Sequence, residues 1–150
     1  MIFPIPAPMV RAIALARAAG DAGEVPVGAV VTREAHIVAE AANAMRALKD
    51  PTAHAEIIAI RKAAAVLGQE RLNDCDLWVT LEPCAMCAGA IANARIARLY
   101  YAASDAKGGG VEHGARVFSH PTCHHRPETF QGIGAETART QLRDFFAARR

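Results

Sequence analysis

Apolar positions recur along the chain with two periods, one suited to helices and one to strands. Residues 8–20 predict a helix: proline opens it, alanine fills it, Val10, Ile13, Leu15 and Ala16 are its apolar positions, and Gly20 stops it. After a turn at Asp21-Ala22-Gly23-Glu24, residues 27–32 are β-branched and apolar on both faces, which predicts a central, covered strand. A short connection at 33–35 leads to residues 37–41, an expected antiparallel partner that ends near Asn43. A polar stretch then reaches Asp50-Pro51-Thr52, read as a helix start with Asp50 as cap and Pro51 in the first turn. Ile57, Ile58, Ile60, Ala64 and Leu67 carry helical spacing to a stop at Gly68.

Residues 77–81 predict a third strand, broken by Glu82-Pro83. Residues 84–93 predict a short helix of small residues, and 96–102 a fourth strand. Lys107-Gly108-Gly109-Gly110 reads as a flexible loop. Between 111 and 133 the pattern is ambiguous, with one more short strand or helix around Val117-Phe118. Residues 136–150 predict an amphipathic terminal helix, with Leu142, Phe145 and Phe146 inward and arginines outward. Helices alternating with strands predict an α/β chain: a three-layer α/β/α arrangement on a mixed sheet, one domain over residues 1–150 with 1–8 a loose lead-in.

Composition narrows the function only a little. A chain of 150 residues, 52% hydrophobic, can bury a sizeable core without disulfides. No apolar run approaches the ~20 residues of a membrane span. The first residues lack the basic and continuous apolar regions of a signal peptide, so the expected location is cytoplasmic. A net charge of +2 is below that of a dedicated nucleic-acid binder, so any RNA contact must come from local clusters. Without an export signal, and with two of the four cysteines three apart, Cys75, Cys84, Cys87 and Cys123 point to metal rather than to disulfides.

The chemistry gathers in two segments, His54-Ala55-Glu56 and Pro83-Cys84-Ala85-Met86-Cys87. H-x-E followed by P-C-x-x-C is the signature of zinc-dependent nucleobase deaminases. Cys84 and Cys87 at a helix start lie about 60° apart, and first-turn N–H groups favour their thiolates. With His54 they supply three zinc ligands and leave a fourth tetrahedral position open, as in a catalytic site. Glu56 is the expected general base and then general acid. A closed structural zinc, with Cys75 or Cys123 as fourth ligand, is the alternative, and it gives Glu56 no task. One conflict stands: residues i and i+2 of a regular helix lie about 200° apart, so His54 and Glu56 would not share a face. Either the metal lies across the helix end or the first turn is irregular.

Longer stretches carry a resemblance. Glu24-Val25-Pro26-Val27-Gly28-Ala29-Val30, Asp50-Pro51-Thr52-Ala53-His54-Ala55-Glu56-Ile57 and residues 79–90, together with Asp105-Ala106-Lys107 and Asp144-Phe145-Phe146, resemble the bacterial tRNA-specific adenosine deaminases of the cytidine/deoxycytidylate deaminase-like superfamily. The resemblance implies a five-stranded mixed sheet, a homodimer, one Zn2+ per chain, and conversion of the wobble adenosine of a tRNA anticodon to inosine. It implies that His54, Cys84 and Cys87 hold zinc and that Glu56 shuttles protons. Asn43 would hydrogen-bond the target base, Ala55, Asp105 and Lys107 would meet the substrate, and the terminal helix would lie beside the anticodon stem-loop. Arg139, Arg143, Arg149 and Arg150 would contact phosphates, or else are solvated only. The chain departs from the pattern at Ala41-Ala42, in a glycine-heavy loop at 107–113 read as carrying an insertion, and at Pro127; these bear on substrate identity more than on reaction type. Two rivals are a free-base deaminase of the same fold (guanine, adenine or cytosine) and a non-catalytic zinc-stabilised RNA-binding module.

Overall fold

The computed structural model describes residues 4–149; the first three residues of the expected lead-in, and Arg150, lie outside them. In chain order come α1 (Ala7–Asp21), β1 (Gly28–Arg33), β2 (His36–Ala42), a single-turn α2 (Met45–Leu48), α3 (Ala55–Leu67), β3 (Cys75–Leu81) and α4 (Ala85–Ala94). Then follow β4 (Arg98–Ala103), a 3-10 turn (Val117–Ser119), β5 (Glu128–Gln131) and α5 (Ala135–Ala147). The sheet order is β2-β1-β3-β4-β5. β1 runs antiparallel to β2 and β3, whereas β3, β4 and β5 are mutually parallel, so the five-stranded sheet is mixed.

Alternation along the strands sends side chains to two cores. Ala29, Val31, Leu77, Val79, Leu99 and Tyr101 face α3 and α4, where they meet Ala55, Ala59, Ala63, Ala88 and Ile91. Val30, Trp78 and Ala102 face α1 and α5, where they meet Met9, Ala12 and Ala138. The result is the expected α/β/α sandwich. Among the described residues no helix is long and apolar enough to cross a membrane.

Small residues, not the large apolar ones, mark the inward helix faces. α1 buries Met9, Ala12, Ala16 and Ala19, while Val10, one of its apolar positions, is 52% exposed. A Cβ on Gly28 would collide with the Ala12 carbonyl and stand 2.8 Å from the Ala16 nitrogen, so helix backbone lies directly on β1. α3 likewise buries Ala55, Ala59 and Ala63, with Ile58, Ile60 and Leu67 packed on its flanks. On α5, Ala138 is the fully buried residue and Phe146, expected inward, is 47% exposed.

Two segments differ from expectation. Val117-Phe118 takes the helical alternative as a 3-10 turn, and the fifth strand is β5, which the pattern did not mark and whose residues are all exposed and show no burial pattern. β5 is held by pairing with β4 and by a stack of Trp78 on Tyr100 on Phe130, with centroids 3.8 and 4.9 Å apart. Asp50 caps no helix: its carboxylate accepts the N–H and hydroxyl of Thr52 in a turn, and α3 begins five residues later at Ala55.

Candidate metal centre and active site

The carboxyl end of β3 points at the N-termini of α3 and α4, the position where open α/β sheets place ligands. His54 is the N-cap of α3, with extended backbone (φ −72°, ψ 151°), and Cys84 is the N-cap of α4, also extended (φ −71°, ψ 176°). The conflict between His54 and Glu56 therefore does not arise. His54 precedes the first helical residue, so its side chain leaves the helix rule that separates i and i+2.

The His54 Nδ1 atom lies 3.6 Å from Cys84 Sγ and 3.5 Å from Cys87 Sγ. Bonds of about 2.3 Å to sulfur and about 2.0–2.1 Å to nitrogen at tetrahedral angles require an S···N separation of about 3.5–3.6 Å, so the donors fit an ion of zinc's size. These three side chains form a group that can hold a metal ion. Cys75 and Cys123 do not join it: Cys75 is buried at the start of β3 beside Asp74, and the Cys123 thiol donates to the His125 carbonyl.

Charge in the pocket follows from where the helices begin. Cys84 is lowered to about 5, first because the Cys87 thiol donates to it, with the Cys87 and Met86 N–H groups of the first turn adding to this. Cys87 is pushed up, as the donor of that bond and a buried group. Glu56, only 4% exposed in the first turn of α3, is raised to about 7, chiefly by burial and further by the Cys84 charge. A carboxyl that titrates near neutrality beside the Cys84 thiolate can both take and return a proton.

The other expected site residues divide into scaffold and rim. Asn43 is buried at the end of β2; its Nδ2 donates to the Val25 carbonyl at 3.1 Å and its Oδ1 accepts the Ala55 N–H at 2.8 Å. The Ala55 amide is thus committed to Asn43, and the pair ties β2 to the first residue of α3. Asp105 and Lys107 follow β4 in the loop over the site: Asp105 Oδ1 accepts the Lys107 and Gly108 N–H groups, and Lys107 is exposed. Arg149 lies over the Phe145 ring at 3.6 Å and donates to the Phe145 carbonyl, while Arg139 and Arg143 are exposed.

The glycine run is not a flexible loop. Gly109 and Gly110 are buried, the Gly110 N–H donates to the Pro83 carbonyl at 2.8 Å, and a Cβ on Gly110 would stand 2.5 Å from the Ala85 nitrogen. Here glycine serves close approach of the loop to the Pro83-Cys84 turn. Two buried carboxylates escaped the sequence reading. Glu24 accepts the Arg46 and Ala47 N–H groups of α2 at 3.1 and 2.8 Å. Glu82 accepts the Asp105, Val111, Glu112 and His113 N–H groups. For Glu82 the signal was an acidic residue directly between an apolar strand and Pro83.

Comparison with known proteins bears on fold and family. The sequence pattern of the MafB19-like deaminase family matches residues 7–150. A tRNA-specific adenosine deaminase from Agrobacterium fabrum is 53% identical over 95% of this chain and 93% of its own. A solved structure from work on A-to-I editing by tRNA:A34 deaminases at the wobble position of transfer RNA is 52% identical, covers 90% of this chain and 98% of its own, and superposes with a TM-score of 0.89. A guanine deaminase from Bacillus subtilis is 36% identical over 95% of this chain and 91% of its own, with a TM-score of 0.65. The chain belongs to the MafB19-like deaminase family and, within it, to the tRNA-specific adenosine deaminases.

Proposed function

We propose that this chain, as one domain, hydrolyses the amino group of adenosine at the wobble position of a tRNA anticodon, giving inosine and ammonia. The observation that carries this reading is the convergence of His54, Cys84 and Cys87 on one point with the buried Glu56 carboxyl beside it. His54, Cys84 and Cys87 would hold one zinc ion, leaving one position for the reacting water. A zinc ion in such a site supplies Lewis acidity that brings the ionisation of water down to about pH 7.

Glu56 does the proton work. It accepts a proton from the attacking water as oxygen bonds to C6 of the adenine, and passes it to ring N1. The second water proton travels by the same carboxyl to the amino nitrogen as the C6–N bond breaks. Inosine retains the N1 proton and ammonia leaves, so atoms and charge balance. Asn43 holds the start of α3 and so sets His54 and Glu56; its remaining Nδ2 hydrogen is the group available to the base. Asp105 and Lys107 would meet the RNA at the rim, and the exposed arginines of α5 would lie towards phosphates of the anticodon stem-loop. The same reading implies a homodimer acting in the cytoplasm.

The guanine deaminase likeness favours one other reading, hydrolysis of a free base in the same pocket. Product analysis separates the two. Zinc-loaded protein with an anticodon stem-loop bearing a wobble adenosine should yield inosine in the RNA, and free guanine, adenine and cytosine should stay intact. Turnover of a free base beside untouched RNA would transfer the function to the second reading.

A further inference from the structure

We infer that Glu82 is a positioning residue for substrate binding, whose buried carboxylate locks the loop carrying Asp105 and Lys107 onto the Pro83-Cys84 turn. The inference rests on the proposed deaminase function and deepens it.

The Glu82 side chain is fully buried. Its Oε1 accepts the Asp105 N–H at 2.9 Å and faces His113 Nδ1 at 2.8 Å; its Oε2 accepts three successive N–H groups, those of Val111, Glu112 and His113, at 3.0–3.1 Å. A carboxylate has about four acceptor sites and no donor when ionised, so these five contacts saturate it. Every contact reaches into residues 105–113. The chain around the carboxylate is committed as well: the Glu82 N–H donates to the Ala103 carbonyl of β4, and the Pro83 carbonyl accepts the Gly110 N–H.

Loop residues carry matching adaptations. A Cβ on Gly109 would collide with the Glu82 carboxylate, so that glycine is required by this contact. Glu112, the middle amide donor, turns its own carboxylate to the hydroxyls of Tyr101 and Ser104 and fastens the loop to β4. Glu82 stands two residues from Cys84 in the chain and one hydrogen bond from Asp105. It therefore fixes how far the rim residues stand from the metal centre, without touching the base or the reacting atoms.

Glu82→Gln keeps the shape and replaces one acceptor oxygen with a donor. Whichever way the amide turns, it sets N–H against N–H, or against His113. The expected result is unchanged metal content, a KM for the stem-loop raised about tenfold, and a kcat within about threefold of wild type, the pattern of lost binding rather than lost chemistry. Amides of residues 105–113 should exchange faster in the variant while those of the sheet keep their protection. In a double-mutant cycle, Lys107→Ala should cost less in the Glu82→Gln background than in wild type, since both act through one loop. If Glu82→Gln does not fold, Gly109→Ala displaces the same contact from the loop side, and the same rise in KM is expected of it.

Wild-type protection of residues 105–113 in Glu82→Gln would overturn the inference, as would fully additive effects with Lys107→Ala. So would a fall in kcat accompanied by loss of metal, which would place Glu82 in the metal centre. If wild-type protein leaves the stem-loop unchanged, the functional reading fails, and the exchange comparison still decides whether Glu82 holds the loop.

Discussion

At the residue scale the site depends on two residues that are not in their helices. His54 and Cys84 both occupy extended N-cap positions, so their side chains project past the helix ends toward one another. Glu56 and Cys87, in the first turns, complete the cluster from within the helices. A base that shares no ligand role can be removed without dismantling the metal group. Glu56→Gln should therefore bind one zinc ion per chain, by elemental analysis, while turnover drops about 10²–10⁴-fold, the usual range for general acid–base catalysis. Activity within tenfold of wild type would remove Glu56 from the proton path. The clustered residue types and their spacing were legible in the sequence; the N-cap geometry was not, because Asp50-Pro51-Thr52 imitates a helix start and instead makes an Asx turn.

At the element scale, backbone proximity governs what the sequence can show. Periodicity located most of the helices and strands, yet it rested on large apolar residues where alanine fills the buried faces of α1 and α3; on α1 the helix backbone lies directly on β1 and leaves little room at Ala12 and Ala16. Gly28 is the clearest consequence. Gly28→Ala should lower the unfolding free energy by about 1–3 kcal/mol, as overpacking does, read from chemical denaturation. A neutral effect would mean that α1 can slide on β1. β5 stayed hidden because a short, exposed edge strand has no apolar period, and the glycine run misled because glycine marks close approach as well as flexibility.

The latch over the site carries a pH signature of its own. Burial would raise Glu82, but the Asp105 N–H, the His113 ring and the other loop amides outweigh it and hold the carboxyl below its usual range. The Glu82 carboxylate in turn holds His113 above the ordinary 6.5. A raised histidine contributes stability that is complete below pH 6.5 and lost as pH rises through the folded value. The melting-temperature difference between wild type and His113→Gln should therefore be larger at about pH 5.5 than at about pH 8.5. An equal difference at both would show that the pair adds nothing through charge.

At the scale of the whole molecule, a nearly neutral chain must bind RNA through local charge rather than a global field. Lys107 on the loop and the arginines exposed on α5 are the local charges that the proposed function assigns to that contact. Stem-loop affinity should weaken as salt rises, whereas the binding of an uncharged free base should not change. Fold class, the His/Cys/Cys group and reaction type were readable from 150 residues because they rest on spacing and residue chemistry. The arrangement of the loop at 105–113 was not, because it is held by long-range hydrogen bonds that leave no period. The most direct single measurement is nucleoside analysis of a wobble-adenosine stem-loop after incubation with the zinc-loaded protein, with Glu56→Gln alongside. Inosine at the wobble position with wild type, and none above background with the variant, is the expected result; RNA left as adenosine while free guanine, adenine or cytosine is consumed would contradict it.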